Sequence, residues 1–468
     1  MFIQRFGLQQ RTVAVAFAWQ LAALISCTIA LTQYFGVSSL FSPWVNTAPP
    51  GEAFANLRQR NQFASLTNIG LMSLVWLGGC KRIAGFWLIA SATLLAAGNA
   101  ASSSRTGLLQ LLMLMVLIVA WGGLKQPSTR KVLWVAALAY ASASIALPLL
   151  IGLELGGSGI LGRINDGAAA CSSRLILWRN VLDLIALKPW FGWGWGELDY
   201  AHFVTLYSGG PDARFCEILD NAHNLPLHLA VELGVPVALA VCGLGAWLIV
   251  RAKPWRERDA TRQMAWGVLA VIMLHSLLEY PLWYGPFQMA FGLCVWLLTV
   301  TPVANEEKFT TKVVKMQTFE ASDEKIRSNR HLALVFIRLF ATVIIAFVIY
   351  AAWDYHRVSQ IYLAPNLRSD AYRINTLAKI QGSWLFENQV QFAELTTTTL
   401  TADNAARLNA MALGLLHFSP EARVAEKLIE SAELLARHDQ ADYFSLRYRA
   451  AFPAEYALWA KSKRSIAR

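Results

Sequence analysis

A histidine and an asparagine stand side by side at the start of a long apolar run, in DNAHNLPLHLAVELG at residues 220–234. A polar or ionisable group at the edge of a bilayer is unfavourable unless it is paired or used. Leu or Ala would be sufficient at a purely structural position, so the presence of His223 and Asn224 indicates a further role. The pair predicts a functional site at this boundary.

Other polar residues also stand at the ends of apolar runs. Arg105 lies in SSSRTG, and His275 and Glu279 lie in MLHSLLEYPLWYGP. The spacing of four residues predicts that His275 and Glu279 share one helix face. An ion pair that holds helices together explains this pair as well as catalysis does. The set is completed by Arg58, Arg60 and Asn61 in NLRQRNQFA, and by Arg174.

The composition indicates a polytopic membrane protein. Hydrophobic residues make up 56% of the 468 residues, charged residues only 15%, and the mean hydropathy is +0.40. About nine apolar stretches are long enough to span roughly 30 Å of hydrocarbon. They fall near residues 13–33, 65–79, 83–98, 107–122, 132–153, 226–250, 264–280, 284–301 and 332–352.

The distribution of Lys and Arg predicts the orientation, because basic residues in short loops stay in the cytoplasm. They concentrate near residues 5–11, 81–82, 125–131, 251–262 and 308–330, which are all inside if the N-terminus is inside. The net charge of +11 is then a topology signal, and no nucleic-acid partner is needed to explain it. The polar residues above come out on the outer face.

This topology predicts two domains, an all-α transmembrane domain over residues 1–352 and an outer helical domain over 353–468. An outer loop at 154–225 belongs to the first domain, with GGSGILGRINDGAAA as its flexible lead-in. The tail has the amphipathic pattern of helices joined by turns, and SPEARVAEKLIESAELLARHDQADYF is similar to a helical-repeat hairpin. The tail either binds a partner or shields the membrane domain.

Three features of the outer loop leave alternatives open. Cys171 and Cys216 could form a disulfide in an oxidising compartment. The alternation of Gly and aromatic residues in FGWGWGELDY favours anchoring at the membrane interface over a surface for sugar or lipid. Glu217, Asp220 and His223 have a spacing that could serve a metal, but no Asp-x-Asp or cysteine-rich set supports one.

Several blocks together resemble one family. DNAHNLPLHLAVELGV resembles the His-Asn-x-x-Leu…Glu-x-Gly signature of the bacterial O-antigen ligase superfamily, which includes the O-linked oligosaccharyltransferases of pilin glycosylation. SSSRTG, SRLILWRNVLDLIALKPWFGWGWGEL and HSLLEYPLWYGPF resemble its other blocks in the same order. NLRQRNQFA resembles a Gln-Pro-Asn block of the oligosaccharyltransferase branch, with Arg60 where Pro is usual. The tail, with AAFPAEYALWA, resembles the C-terminal extension of that branch.

Only one predicted span precedes the Gln-Arg-Asn block, where relatives usually have more, and the chain is short for the branch.

The resemblance implies transfer of an oligosaccharide, in one block, from undecaprenyl diphosphate to a hydroxyl on the periplasmic face of the bacterial inner membrane. A pilin or another periplasmic protein is the implied acceptor, and no metal or other cofactor is expected. A Ser or Thr hydroxyl is a poor nucleophile near neutral pH, so a positioned neutral imidazole is a suitable general base, and His223 takes that role. Direct displacement of this kind inverts the anomeric centre.

The other residues of the site are assigned around this base. The family's blocks carry the role of diphosphate clamp over to Arg105 and Arg174, since guanidinium groups bind phosphate oxygens in pairs and keep their charge. Asn224 could orient the imidazole or the sugar. The residues expected to bind or orient substrate elsewhere in the site are Asn61, Arg60, His275, Glu279 and Tyr280, the last three on the acceptor side.

Other functions remain open at this point. An O-antigen ligase that uses lipid A core, or a polysaccharide polymerase, is similar in sequence. A flippase for lipid-linked oligosaccharides would need polar residues at the bilayer midplane and often shows internal repeats. The polar residues stand at the outer rim instead, which favours the enzyme. A noncatalytic assembly protein that binds partners through its tail predicts that His223 is dispensable.

Overall fold

A computed structural model describes residues 2–152, 170–209, 213–302 and 323–466, and all the regular elements in these ranges are helices. The α-helices of the described residues, in chain order, are α1 (Phe2–Tyr34), α2 (Arg60–Gly79), α3 (Gly85–Ala101), α4 (Arg105–Ala120), α5 (Pro127–Leu150), α6 (Arg174–Leu187), α7 (Leu198–Val204), α8 (Leu225–Leu233), α9 (Val235–Ala252), α10 (Ala260–Ser276), α11 (Gly285–Val300), α12 (Asp323–Ser359), α13 (Thr376–Ile380), α14 (Glu387–Thr397), α15 (Ala405–Leu415), α16 (Ala422–Leu434), α17 (His438–Ala451) and α18 (Pro453–Ile466). The all-α class predicted from the sequence is confirmed for this part of the chain.

The chain divides into two compact units. The first comprises residues 1–173, 221–230 and 236–311, and the second comprises residues 174–220, 231–235 and 312–468. Residues 174–220 of the outer loop therefore group with the tail, whereas its last residues, 221–225, group with the first unit. The predicted lead-in GGSGILGRINDGAAA, apart from its last residue Ala170, and the basic residues near 308–320 lie outside the described residues.

Helix α2 forms the centre of the first unit, where it packs against α1, α3, α4, α5 and α10. Nearly all of its side chains from Gln62 to Gly78 are buried, as expected for a helix surrounded by others. Gly70 allows α1 to come close, because a Cβ there would lie 2.5 Å from that of Ala23. This packing fixes the start of α2, which carries Arg60 and Asn61.

Four described helices are long and apolar enough to cross a bilayer. They cover Gly7–Tyr34, Pro127–Leu150, Val235–Arg256 and Arg338–Tyr362, while α3, α4 and α11 are apolar but shorter. The protein is thus membrane-embedded. The fuller topology of about nine spans with the N-terminus inside stays a prediction.

Two predicted spans differ from the structure in their bounds. The apolar run near 226–250 is two helices, because the chain turns at Gly234 between α8 and α9. The run near 264–280 ends as a helix at Ser276, so Glu279 lies beyond α10 and not on its face with His275. Hydropathy alone reveals neither boundary.

The turn after α6 is fastened to the break between α8 and α9 by backbone hydrogen bonds. The N–H of Trp193 donates to the carbonyl of Val231 at 2.9 Å, and the N–H of Val235 donates to that of Pro189 at 2.8 Å. The turn therefore holds a defined backbone conformation. Three of its aromatic side chains are exposed, by 71% for Trp190, 90% for Phe191 and 64% for Trp195, whereas Trp193 is partly buried and its Nε1 donates to the carbonyl of Leu184. Whether they meet the membrane interface or a glycan stays a prediction.

Glycine is required on both sides of this contact. Gly192 and Gly234 have φ angles of +68° and +88°, which L side chains rarely adopt. A Cβ would lie 2.3 Å from the Glu232 carbonyl oxygen at the first position and 2.2 Å from the Trp190 carbonyl oxygen at the second. Backbone atoms cannot move aside as a flexible side chain can.

Gly234→Ala is therefore expected to destabilise the protein by at least about 2 kcal/mol, since it adds a backbone clash to a left-handed conformation. The midpoint of thermal unfolding in detergent measures the effect. Gly243→Ala is the matched control, because Gly243 lies inside α9 with nothing within 4 Å of its Cβ position. Equal midpoints for the two variants would contradict the predicted clash.

The tail in the second unit has its own apolar core. Helices α14 to α18 pack in sequence, and Leu408, Leu428 and Tyr448 are fully buried between them. Phe203 of α7 is buried in the same cluster, so a segment of the outer loop completes the core of the tail. The amphipathic helices predicted for this region are confirmed.

The cysteines separate into two groups. Cys27, Cys80, Cys242 and Cys294 are free thiols. Cys171 and Cys216 are each disulfide-bonded in the structure.

Candidate functional site

His223 lies in the turn that leads into α8 and has an unusual backbone conformation. Its φ angle is +51°, and its N–H donates to the side-chain oxygen of Asn221 at 2.9 Å. Left-handed residues other than glycine are uncommon and cluster at functional sites, where surrounding contacts hold them. The side chain is 26% exposed, so the imidazole is held in place and still reachable.

The imidazole faces a carboxylate. Nδ1 of His223 lies 3.5 Å from Oε2 of Glu279, and the ring of Tyr280 meets the imidazole edge-on with centroids 5.0 Å apart. A carboxylate at Nδ1 favours a proton on that nitrogen and leaves a lone pair on Nε2. A distance of 3.5 Å is long for a hydrogen bond, and such contacts often tighten only when substrate binds. The pair has the arrangement of a general base with its orienting acid.

Two amides hold both oxygens of the Glu279 carboxylate. Nε2 of Gln59 donates to Oε2 at 3.0 Å, and Nδ2 of Asn61 donates to Oε1 at 2.9 Å. Both amides stand at the start of α2, in the Gln-Arg-Asn block. The structure therefore brings Asn61 and Glu279 into contact, as the side-chain amide of Asn61 donates to the Glu279 carboxylate. Glu279 was predicted to line the acceptor side, and in the structure its carboxylate faces the imidazole of His223.

The three arginine residues that were predicted to bind substrate lie in different surroundings. Arg105 is exposed at the first position of α4 in the first unit, directly after Ser104, which caps the helix. Arg174 is the first residue of α6 and belongs to the second unit. Arg60 forms an ion pair with Glu52 at 2.6 Å and remains partly exposed.

Asn224 has a structural role in addition to the one predicted for it. Its side-chain oxygen accepts from the N–H of Leu227 at 3.1 Å, which caps α8. Its amide nitrogen donates to the carbonyl of Leu277 at 3.0 Å, at the end of α10. With both ends of the amide engaged, Asn224 joins the His223 turn to the segment that carries Glu279.

His275 lies in the core of the bundle. It is fully buried, its Nδ1 lies 2.9 Å from the hydroxyl of Ser65, and its ring meets Phe287 edge-on. Gln110 bonds the same Ser65 hydroxyl and the carbonyl of Val271. The prediction that His275 lines the acceptor side does not agree with this burial, and a structural role in helix packing fits better.

Three polar residues near the site were not singled out from the sequence. Gln59 and Ser104 stand inside the blocks NLRQRNQFA and SSSRTG, yet no local spacing indicates their partners. His228 is buried, and its ring meets Trp283 edge-on with centroids 4.9 Å apart. Its position in DNAHNLPLHLAVELG, five residues after His223, could have indicated from the sequence that it lies near the site.

A second cluster of buried ionisable groups lies within the second unit. His202 contacts the hydroxyl of Tyr207 and the carbonyl of Phe215, and burial lowers its pKa to about 3. The guanidinium of Arg214 donates to the carbonyls of Thr205 and His202. These contacts fasten the outer loop to itself and indicate a structural cluster.

Asp199 in this cluster makes stability depend on pH. Burial raises the pKa of its carboxyl from 3.8 to about 7, with Glu197 and Asp220 acting in the same direction. The folded state thus holds a proton that the unfolded state releases, so stability is full below the ordinary pKa and falls as the pH rises through about 7. Asp199→Asn is expected to remove this loss and to unfold at a higher temperature than the wild type at pH about 8.

Thermal midpoints of both proteins at pH values of about 6 and 8 measure this effect. His202 titrates in both proteins, so the difference between them isolates Asp199. A difference that does not grow with pH would contradict the prediction.

Three protein families match the chain in succession. The family described as "Protein glycosylation ligase" matches residues 53–77, "O-Antigen ligase" matches residues 89–242, and "Virulence factor membrane-bound polymerase, C-terminal" matches residues 263–467. Gln59 and Asn61 lie in the first segment, Ser104, Arg105 and His223 in the second, and Glu279 in the third. The site is built from all three matched segments.

Two relatives from Acinetobacter baylyi are similar over most of the chain. A "General O-oligosaccharyltransferase" is 25% identical over 306 residues, which are 63% of this chain and 52% of the relative. A "ComP-specific O-oligosaccharyltransferase" is 25% identical over 292 residues, which are 61% of this chain and 51% of the relative. The chain thus spans about half the length of these curated relatives. No solved structure matches it.

The three successive family matches and the two relatives agree with the blocks that surround His223, Arg105 and the Gln-Arg-Asn segment. Over successive segments the chain is similar to the O-antigen ligase superfamily, and these matches support an enzyme of the glycosyltransferase type.

Proposed function

We propose that the protein is an O-oligosaccharyltransferase that moves a glycan in one block from undecaprenyl diphosphate to a Ser or Thr hydroxyl of a periplasmic protein such as a pilin. The observation that carries the proposal is the contact between His223 and Glu279, held in a partly exposed turn by the Gln-Arg-Asn block. The two relatives named as O-oligosaccharyltransferases support glycan transfer to protein.

In the proposed reaction Nε2 of His223 takes the proton of the acceptor hydroxyl. The oxygen forms a bond to the anomeric carbon while the bond from that carbon to the diphosphate oxygen breaks, which inverts the centre. Glu279 stabilises the imidazolium that forms, as an orienting carboxylate does in a hydrolase triad. The lipid diphosphate leaves with its negative charge.

Arg105 and Arg174 are the proposed clamps for this charge. Arg105 has the features expected of one, because it is exposed at the N-terminal end of α4, where helix N–H groups also favour anions. The assignment of Arg174 is supported by the resemblance alone. We place the site on the periplasmic side of the inner membrane, and the proposed reaction uses no metal.

Deletion of the gene in its host is expected to remove glycan from a pilin or another periplasmic protein and to leave lipopolysaccharide unchanged. Intact masses of the major and minor pilins, with and without the gene, measure the result. Restoration by the plasmid-borne gene is the control. Loss of O-antigen with a normally glycosylated pilin would contradict the proposal.

A second candidate function is polymerisation or ligation of a lipid-linked polysaccharide. The matches to a membrane-bound polymerase and to O-antigen ligase favour it, because they cover more of the chain than the protein glycosylation segment does. The same deletion distinguishes it, since shortened or missing surface polysaccharide is then expected while pilin mass stays constant.

A further inference from the structure

The amide groups that hold Glu279 have only one orientation that satisfies their partners. The side-chain oxygen of Gln59 accepts from the N–H of Gln62 at 2.6 Å and caps α2, so its nitrogen is left for Glu279. The side-chain oxygen of Asn61 accepts from the hydroxyl of Ser104 at 2.6 Å, so its nitrogen is left for Glu279 too. A carboxylate only accepts hydrogen bonds, and a flipped amide would place an oxygen against it.

The hydroxyl of Ser104 has one orientation as well. Its oxygen accepts from the N–H of Gly107 at 2.9 Å, which caps α4, and its hydrogen is then free to point at Asn61. Gly107 allows this contact, because α4 approaches α2 so closely that a Cβ would lie 2.5 Å from that of Ala64. Ser104 is buried, so water does not replace its bond to Asn61.

We infer that Ser104 is a positioning residue for the general base, acting through Asn61 and Glu279 on the imidazole of His223. The inference rests on the proposed function for its catalytic meaning. Ser104 directly precedes Arg105, so the same helix end carries the proposed donor clamp and the first hydrogen bond of the chain that orients the base. Side chains that orient the ligands of a metal site typically contribute about 10- to 100-fold to activity, and we expect an effect of similar size for a side chain that orients a general base.

Turnover tests the inference with lipid-linked oligosaccharide and a purified acceptor protein in detergent. Ser104→Ala is expected to lower kcat by about 10- to 100-fold and to change the KM for donor by less than about twofold. Ser104→Thr keeps both hydrogen bonds and is expected to restore most of the activity. Ser73→Ala is the matched control, because Ser73 is buried in α2 and its hydroxyl donates only to the carbonyl of Ile69 in the same helix.

Loss of the helix cap alone would lower stability without this kinetic pattern. Activities are therefore expressed per amount of folded protein, from the thermal midpoint of each variant. The double variant Ser104→Ala, Asn61→Ala is expected to be no slower than Asn61→Ala, because both changes interrupt one chain of contacts. Multiplication of the two losses, or a loss confined to the KM for donor, would overturn the inference.

A readout without turnover separates this inference from the proposed function. The rate at which diethyl pyrocarbonate modifies His223, followed by mass spectrometry, depends on how the imidazole is held. Ser104→Ala and Glu279→Gln are expected to raise this rate together, while Ser104→Thr and Ser73→Ala keep the wild-type rate. An unchanged rate in Ser104→Ala beside a raised rate in Glu279→Gln refutes the inference, whatever the protein transfers. Absence of transfer by the wild type would instead contradict the proposed function.

Discussion

His223→Ala is expected to lower glycan transfer by at least about 10³-fold while the protein still folds and inserts into the membrane. The loss follows because the imidazole is the group in the site placed to take a proton from a hydroxyl near neutral pH. Glu279 keeps its two amide donors in the variant, so the surrounding structure is retained. Transfer to the acceptor protein in isolated membranes, measured per amount of inserted protein, gives the result.

Alanine at position 223 adds backbone strain, since the φ angle there is +51°. His223→Asn removes that ambiguity, because asparagine adopts the left-handed conformation more readily and cannot act as the base. His438→Ala is the matched control, as His438 is an exposed histidine at the start of α17. Full transfer by His223→Asn would rule out the general-base role and favour a noncatalytic assembly protein.

The sequence singled out residues of the candidate site, but it did not indicate their contacts. His223, Arg105 and Glu279 were predicted because each is polar at the end of an apolar run, where a polar side chain is unfavourable unless it is paired or has a function. The contact between Asn61 and Glu279 joins residues 218 positions apart, and no local spacing encodes it. His275 was given Glu279 as its helical neighbour because four-residue spacing assumes that the helix continues, and α10 ends at Ser276 instead.

The fold was predictable where periodicity is strong. Helices α16 and α17 follow directly from the amphipathic pattern of the tail, and the apolar runs at 13–33 and 132–153 correspond to long helices. The break at Gly234 was not predictable from hydropathy, because the residues on both sides are apolar. It depends on a backbone contact with Trp190, which lies 44 positions earlier in the sequence. Tertiary contacts of this kind decide where a continuous apolar run becomes two helices.

Glu279→Gln is expected to lower transfer by about 10²- to 10³-fold with little change in the KM for donor. Glutamine keeps the size of the side chain, but its amide presents a donor as well as an acceptor and no negative charge. The imidazolium that forms as His223 takes a proton then lacks the carboxylate that stabilises it. In the wild type the amides of Gln59 and Asn61 each donate to one carboxylate oxygen of Glu279, so in the variant one of these two amides loses its acceptor.

Glu52→Gln is the matched control for charge in the same region. Glu52 forms an ion pair with Arg60, and both side chains are partly exposed, so solvent screens the interaction and its removal is expected to leave transfer nearly unchanged. Steady-state kinetics of both variants with donor and acceptor varied separately measure the difference. A loss in Glu279→Gln that appears only in the KM for acceptor would return Glu279 to the acceptor-lining role predicted from the sequence. A loss in kcat, absent from Glu52→Gln, would place the carboxylate beside the base in the reaction itself.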